Sequence, residues 1–265
     1  MIGLERLRKQ TALVLTGLVL IYLIAPLFVI VPMAFTSGTM LTLPTPGWSL
    51  RWFETVLIDE RWSSALWNSL VVGTGSTLLA VALGTPAAIG LAWGKFPGRG
   101  LLLALIAVPL VLPIVIVAVA AFAFYASAGL LGNRLSLMLA HAGLAAPVVV
   151  TTVFASLQSF DRTLMKAGAS LGAPPMMAFR RILLPIISPG VGAGALIAFV
   201  VSFDEVVIAS YLTTAEQKTL PRMIFSGVRE SISPAIAAAA VLLVLFSAFI
   251  LVIITLLQSK RRAIR

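Results

Sequence analysis

Six apolar runs constrain this chain more than any other feature: about residues 12 to 36, 65 to 93, 101 to 126, 135 to 158, 186 to 212 and 235 to 257. Each is close to the length that crosses a bilayer, and lipid offers no partner to an open backbone, so each is predicted to be a helix. Over 265 residues the chain is 60% hydrophobic and 11% charged, which excludes an ordinary soluble domain. The expected fold class is all-α: a polytopic membrane protein of six transmembrane helices forming one domain over residues 1–265. The opening MIGLERLRKQ, followed by an apolar run from about Thr11 to Thr36, has the charge order of a signal peptide. Its run is too long for that and has no small-residue cleavage site, so it reads as an uncleaved first span.

The segments between spans alternate between two sides, and their charge sets the orientation. With the N-terminus lie Arg6, Arg8, Lys9, Lys95, Arg99, Arg162, Lys166, Arg180, Arg181, Lys260, Arg261, Arg262 and Arg265, thirteen of the 19 basic residues. The other side holds Arg51, Arg61, Arg134, Lys218, Arg222 and Arg229 among Glu54, Asp59, Glu60, Glu216 and Glu230. An excess of Lys and Arg marks the cytoplasmic side, so both termini are expected there. The net charge of +10 is thus spent on topology, and it is not gathered with aromatics into a nucleic-acid surface. The chain has no cysteine, which removes disulfides, thiolate metal sites and cysteine nucleophiles.

Trp48, Trp52, Trp62 and Trp67 cluster at the first outer loop, and Trp93 marks an inner boundary; interfacial anchoring is the plain reading and ligand stacking the rival. Pro86, Pro109, Pro113 and Pro147 inside spans are expected to bend or break helices. Gly190, Gly192 and Gly194 suit close helix packing.

The segment KAGASLGAPPMMAFRRILLP, Lys166 to Pro185, interrupts this pattern with three cations, two glycines and three prolines. Asp161 can cap a short helix, with Phe160 and Met165 placed as a hydrophobic staple across its first turn. Gly172 can end that helix in the left-handed conformation, and Pro174-Pro175 can start the next. Met176 to Leu184 is then predicted to be a second short helix stopped near Pro185. Two readings stay open on these residues alone: a docking element for a partner, or a hairpin lying on anionic lipid.

The segment resembles the cytoplasmic signature of the inner-membrane permease subunits of bacterial binding-protein-dependent ABC importers, Glu-Ala-Ala, three residues, Gly, nine residues, Ile, one residue, Leu-Pro. Here Gly172 is followed by nine residues and then Ile182, Leu183, Leu184 and Pro185. Ala167 fits the first alanine, while Lys166 and Gly168 stand where the family usually has Glu and the second Ala. The resemblance implies a type I ABC importer permease fold with a coupling helix between spans 4 and 5, in a segment of about 160–185. In such permeases the first helix docks on a separate ATPase subunit, which gives coupling roles to Lys166, Ala167, Gly168, Ser170, Leu171, Gly172, Ala173, Ile182, Leu184 and Pro185.

From about residue 40 onward, SLRWFETVLIDERWSSALWNSLVV, LAHAGLAAPVVV, SFDEVVIASYLT and TLPRMIFSGVRESISP resemble the polyamine-type (spermidine/putrescine) branch of these permeases. That implies a bacterial inner-membrane location, periplasmic loops of about 37–64 and 213–234, and a polyamine or related small organic solute as cargo. The implied partners are two ATPase subunits carrying ATP and Mg²⁺, a second permease in a heterodimer, and a periplasmic solute-binding protein. No cofactor or metal is expected on this chain.

Its own residues agree on the division of labour: there is no G-x-x-x-x-G-K-[ST] phosphate cradle. His141, the single histidine, has no carboxylate nearby in sequence and reads as a packed or hydrogen-bonded helix residue. Asp204 and Glu205 are costly inside a span and normally face a bundle interior or wet cavity. They are candidates for the solute pathway with Ser202, Phe203 and Tyr211, or for a polar lock between subunits. At helical spacing the two acids point about 100° apart. An ion-gradient-driven secondary transporter using Asp204 or Glu205 is the alternative from another class, and an intramembrane enzyme lacks a nucleophile–base pair. The outer loop from Thr213 to Ser233 can fold back as a short helix, toward the binding protein or over the outer mouth, or be a solvated connection.

Overall fold

The computed structural model describes the backbone of residues 2–230 and 233–262 and the side chains of 8–230, 233–249 and 252. The side chains of Arg6, Lys260, Arg261 and Arg262, and Arg265 altogether, lie outside the described residues. In chain order the elements are α1 (Ile2–Ala34), α2 (Arg51–Ile58), α3 (Glu60–Trp93), α4 (Arg99–Val111), α5 (Ile114–Ser127) and α6 (Arg134–Gln158). They continue with α7 (Thr163–Ser170), α8 (Pro175–Ala178), a π-helical turn (Phe179–Leu183), α9 (Leu184–Phe203), α10 (Val207–Leu212), α11 (Leu220–Glu230) and α12 (Pro234–Arg262). The described residues form no strand beyond one isolated bridge, Thr36 to Trp48, so the chain is all-α as expected.

Among the described residues, Arg8–Ala34, Glu60–Trp93, Arg134–Gln158 and Pro175–Phe203 are each long and apolar enough to cross a membrane. The third apolar run is not one straight span: α4 and α5 meet at 101°. Pro113 disfavours the helical region for the residue before it, and Leu112 is extended at φ −68 and ψ 140. At 13 and 14 residues, each half is about 20 Å long, short of a hydrocarbon core of about 30 Å. Pro86 and Pro147, by contrast, ride inside α3 and α6 without ending them.

Two further expectations are corrected. Pro185 does not stop a second short helix, because α8, the π turn and α9 run on as one 29-residue stretch. The wider turn lets the Leu184 N–H reach Phe179 O, leaving slack where Pro185 brings no N–H of its own. The fifth apolar run is not one helix to residue 212 either, since α9 ends at Phe203 and α10 starts again at Val207.

The chain divides into two compact units, residues 64–223 and residues 1–63 with 224–265. In the first, α6 and α9 make the most extensive helix pair. Gly190 and Gly194, four apart on α9, make it possible. A Cβ on Gly194 would stand 3.3 Å from Val149 Cα, and one on Gly190 would collide with the Ser156 side chain. Small residues at such spacing let backbones approach in lipid, where burial of apolar area drives nothing. Gly192 faces open space and has no part in it. Val149, Val153, Leu157, Leu183, Ile187 and Ala198 fill the core between these helices. A second core joins Val72, Ala118, Tyr125, Leu137, Ile208 and Leu212 from α3, α5, α6 and α10.

In the other unit α12 packs on α1 and α2, and its alanine-rich start, Ala235 to Ala239, is buried. Its outer loop is built rather than loose: Ser37 N–H donates to Gly47 O at 2.9 Å, and Ser49 N–H to Phe35 O at 2.7 Å. The Arg51 guanidinium and Trp52 indole both donate to Gly38 O, at 2.9 and 3.1 Å. The tryptophans therefore divide. Trp48 and Trp67 are exposed, as interfacial anchors are, whereas Trp52 ties the loop and Trp62 is buried.

Candidate functional site

Two interruptions of the helices carry the candidate residues, the insert between α6 and α9 and the break between α9 and α10. At the insert, Asp161 Oδ1 accepts the Thr163 N–H at 2.9 Å, an Asx-type start to α7. Hydrogen bonds from Thr163 hold the Asp161 carboxyl below the usual carboxylate range. Phe160 is buried and Met165 packs against the same core, as a staple requires. The α7 helix ends in a Schellman motif: Ala173 N–H donates to Gly168 O at 3.0 Å and Gly172 N–H to Ala169 O at 2.9 Å. Gly172 takes φ +81, the left-handed value that glycine adopts without strain.

The sequence did not single out Arg162 as an anchor, yet it fastens this element to α3. Its guanidinium donates to Ala92 O at 2.8 Å and lies 5.3 Å from the Trp93 ring centroid. On the inner side of α7, Gly168 is buried against Ile182, whose Cδ1 would stand 2.6 Å from an added Cβ. On the outer side Lys166, Ala167, Ser170, Leu171, Gly172 and Pro185 are exposed, with Ala173, Ile182 and Leu184 half-buried. Leu171 is 89% exposed, together with Leu164 and Met176. An apolar knob at the tip of a rigid, fastened turn is suited to docking in a groove.

At the break, the two acids part company. Glu205 is buried and caps α10: Oε1 accepts from Val207 and Ile208 N–H at 2.7 and 2.8 Å, and Oε2 from Ala209 N–H at 3.0 Å. Three orphan donors of a helix start are thereby satisfied by one carboxylate. His141 on α6, fully buried, places Nε2 3.3 Å from Glu205 Oε2 and Nδ1 2.9 Å from Ser202 Oγ. Asp204, one residue away, is exposed and its carboxylate has no partner among the described residues. Phe203 is buried and stacks on Phe199, and exposed Tyr211 meets Phe122 edge-on. The structure thus gathers Ser202 and Glu205 on His141 and leaves Asp204 and Tyr211 outside that group. His141 is hydrogen-bonded, as the sequence suggests. Its carboxylate partner lies 64 positions further on, and the only sequence signal was that a lone histidine in one span and an acidic pair in another both need partners.

The stretch after α10 is also held. Buried Asn68 donates through Nδ2 to Glu216 O at 3.4 Å and Lys218 O at 3.2 Å, and Ser69 Oγ accepts the Leu220 N–H at 2.8 Å. Arg222 closes back on Thr213 and Thr214. A solvated connection is excluded by these ties and by α11, which buries Leu220 and Pro221.

Residues 80–263 match the family model described as the binding-protein-dependent transport system inner membrane component. The chain is 34% identical over 248 residues to the putrescine transport system permease protein PotI of Escherichia coli (strain K12), covering 91% of this chain and 88% of that one. It is 28% identical over 239 residues to the spermidine/putrescine transport system permease protein PotC of Haemophilus influenzae, covering 90% and 93%. In fold it is similar to a chain of a bacterial ABC transporter that imports the acidic polysaccharide alginate, with TM-score 0.71, 18% identity and coverage of 97% and 96%. It is also similar to the MetNI methionine ABC transporter in an inward-facing conformation, with TM-score 0.60, 20% identity and coverage of 78% and 100%. With an all-α membrane architecture and a matched family model over most of its length, the chain belongs to the binding-protein-dependent transport system inner membrane component family.

Proposed function

We propose that this permease forms half of the path by which a small organic cation of the polyamine type enters a bacterial cell. The observation that carries the reading is the 34% identity, over nearly the full length of both chains, to a putrescine permease. In this reading the bent pair α4–α5 and the final helix α12 complete six spans, and the basic segments put both termini and the insert on the cytoplasmic face. The loops at about 37–64 and 213–234 are then periplasmic.

The exposed knob of Leu164, Lys166, Leu171 and Met176 is the surface offered to a separate ATPase subunit. Two such subunits, a second permease in a heterodimer and a periplasmic solute-binding protein complete the importer, with ATP and Mg²⁺ held on the ATPases. Closure of the ATPase pair pushes on α7. Because α8, the π turn and α9 are continuous, the push reaches the α9–α10 break about 40 Å away. Lys166 adds a positive charge to the docking contact, so the partner groove is expected to present a compensating acid.

Asp204 is the pathway candidate, because an exposed carboxylate in a span is too costly to face lipid and offers a cation a negative wall. The test is purification in mild detergent followed by reconstitution with the binding protein and assay of putrescine uptake. Co-purification of an ATPase subunit and ATP-dependent uptake are expected. A chain that purifies alone, or putrescine left outside while another solute enters, overturns the corresponding half of the proposal.

A further inference from the structure

The polar group at the break holds more than the start of a helix. Glu205 spends its carboxylate on three backbone N–H groups and on His141. An acid so engaged and so deeply buried has nothing left for a passing solute. Nε2 of His141 lies 3.3 Å from this acceptor-only group, and Nδ1 lies 2.9 Å from Ser202 Oγ. Ser202 lies two residues before Asp204 and Glu205 one after it, so a single imidazole on α6 grips the chain on both sides of the exposed acid. Asp204 is the C-cap of α9, its N–H donating to Val200 O at 3.0 Å, and beyond this bond the chain leaves the helix, so the contacts of its two neighbours set where it turns.

We propose that His141 is a positioning residue for the solute path: through Ser202 and Glu205 it fixes where the Asp204 carboxylate stands, while Glu205 itself does not touch solute. This rests on the pathway role given to Asp204 above. Such a role differs from plain structural support in what it does to kinetics. A support lost lowers the amount of assembled transporter, whereas a misplaced binding group raises KM per assembled complex. It also makes His141 and Asp204 non-additive, since there is nothing left to position once the carboxylate is gone.

The experiment uses the whole importer in proteoliposomes, with radiolabelled putrescine as probe and rates scaled to assembled complex. His141→Phe removes both contacts at similar volume, and His141→Gln keeps a donor toward Glu205. The expected results are a KM raised about five-fold or more by His141→Phe, partial recovery in His141→Gln, and a His141→Phe/Asp204→Asn pair no worse than Asp204→Asn alone. Amide hydrogen exchange at Val207, Ile208 and Ala209 should speed up in His141→Phe, a readout independent of cargo. An unchanged KM with reduced assembly, fold-changes that multiply in the pair, or unchanged exchange at these amides each overturns the proposal. If His141→Phe fails to assemble, the same measurements on His141→Gln and Ser202→Ala decide it, by a smaller rise in KM or by none. Should Asp204→Asn alone leave KM unchanged, the pathway role of Asp204 falls. Exchange at the three amides then decides whether His141 holds the break.

Discussion

The insert and the α9–α10 break are both places where a long apolar helix is interrupted, yet they are held in opposite ways. The turn of the insert is wired by short-range bonds, Asp161 to Thr163, Gly168 to Ala173 and Ala169 to Gly172, with one long tie from Arg162 to Ala92 O at its base. The break is wired across 61 positions, from His141 to Ser202, with Glu205 at the junction. Local wiring gives a stiff element that can project into solvent, with Leu171 89% exposed and the turn still ordered by its own backbone. Long-range wiring, added to the local cap of Glu205, ties the break to the packing of two helices. The first suits a surface that must meet a partner, the second a point that must respond when helices move.

The largest effect that would break this contrast is at the insert. Deleting residues 164–175 should abolish ATP-dependent uptake while the permease still reaches the membrane, and surviving uptake would show that the projecting turn transmits nothing. Next in size, Glu205→Ala uncaps α10 and leaves His141 buried without its acid. A buried donor left unsatisfied costs about 1–3 kcal/mol and Glu205 serves the N–H groups of Val207, Ile208 and Ala209, so thermal unfolding of the purified complex should shift strongly downward. A near-neutral result would mean that neither the cap nor the imidazole contact holds the break.

Gly194→Val should force α6 and α9 apart at Val149 and cost about 1–3 kcal/mol, whereas Gly192→Val, facing open space, should cost far less in the same melt. At the insert the comparable pair is Gly172→Ala and Gly168→Ala. The first places Cβ at φ +81 and should cost about 1–2 kcal/mol and weaken ATPase stimulation by the binding protein. The second asks only Ile182 Cδ1 to swing away and should be close to silent.

The smallest effect expected is at the outer ion pair. Asp59 and Arg61 meet at 2.7 Å near the surface, and hydrogen bonds from Arg61 hold the Asp59 carboxyl below the usual carboxylate range. A depressed carboxylate contributes stability that is present above about pH 4 and is lost as pH falls through its folded value. Exposed pairs contribute less than about 1 kcal/mol, so Asp59→Asn should shift the melt slightly at neutral pH and not at all once pH has fallen below the folded value.

The membrane architecture and the insert were largely legible. Apolar length predicts spans because lipid imposes the same requirement on every backbone group, wherever the residue ends up. The left-handed turn at Gly172 and the start at Pro175 were also visible, since both follow from dihedral preferences of single residues. Helix continuity was not: Pro185 reads as a stop, and only the π turn beside it lets the chain run on into α9. The break at Phe203 was equally hidden, because AFVVSFDEVVIASY is apolar on both sides of the acids.

By itself the sequence determined that the chain is a helical membrane protein with a projecting, proline- and glycine-bounded turn between two spans. These are outcomes of one-body energetics: transfer of apolar length into lipid, and the backbone preferences of glycine and proline. Only the tertiary structure decided that Asp204 and Glu205 have different fates, that Arg162 fastens the insert to α3, and that Asn68 and Ser69 hold the stretch after α10. Each of those is a two-body matter, a donor meeting an acceptor from another helix. No property of either residue alone says which acid His141 will find.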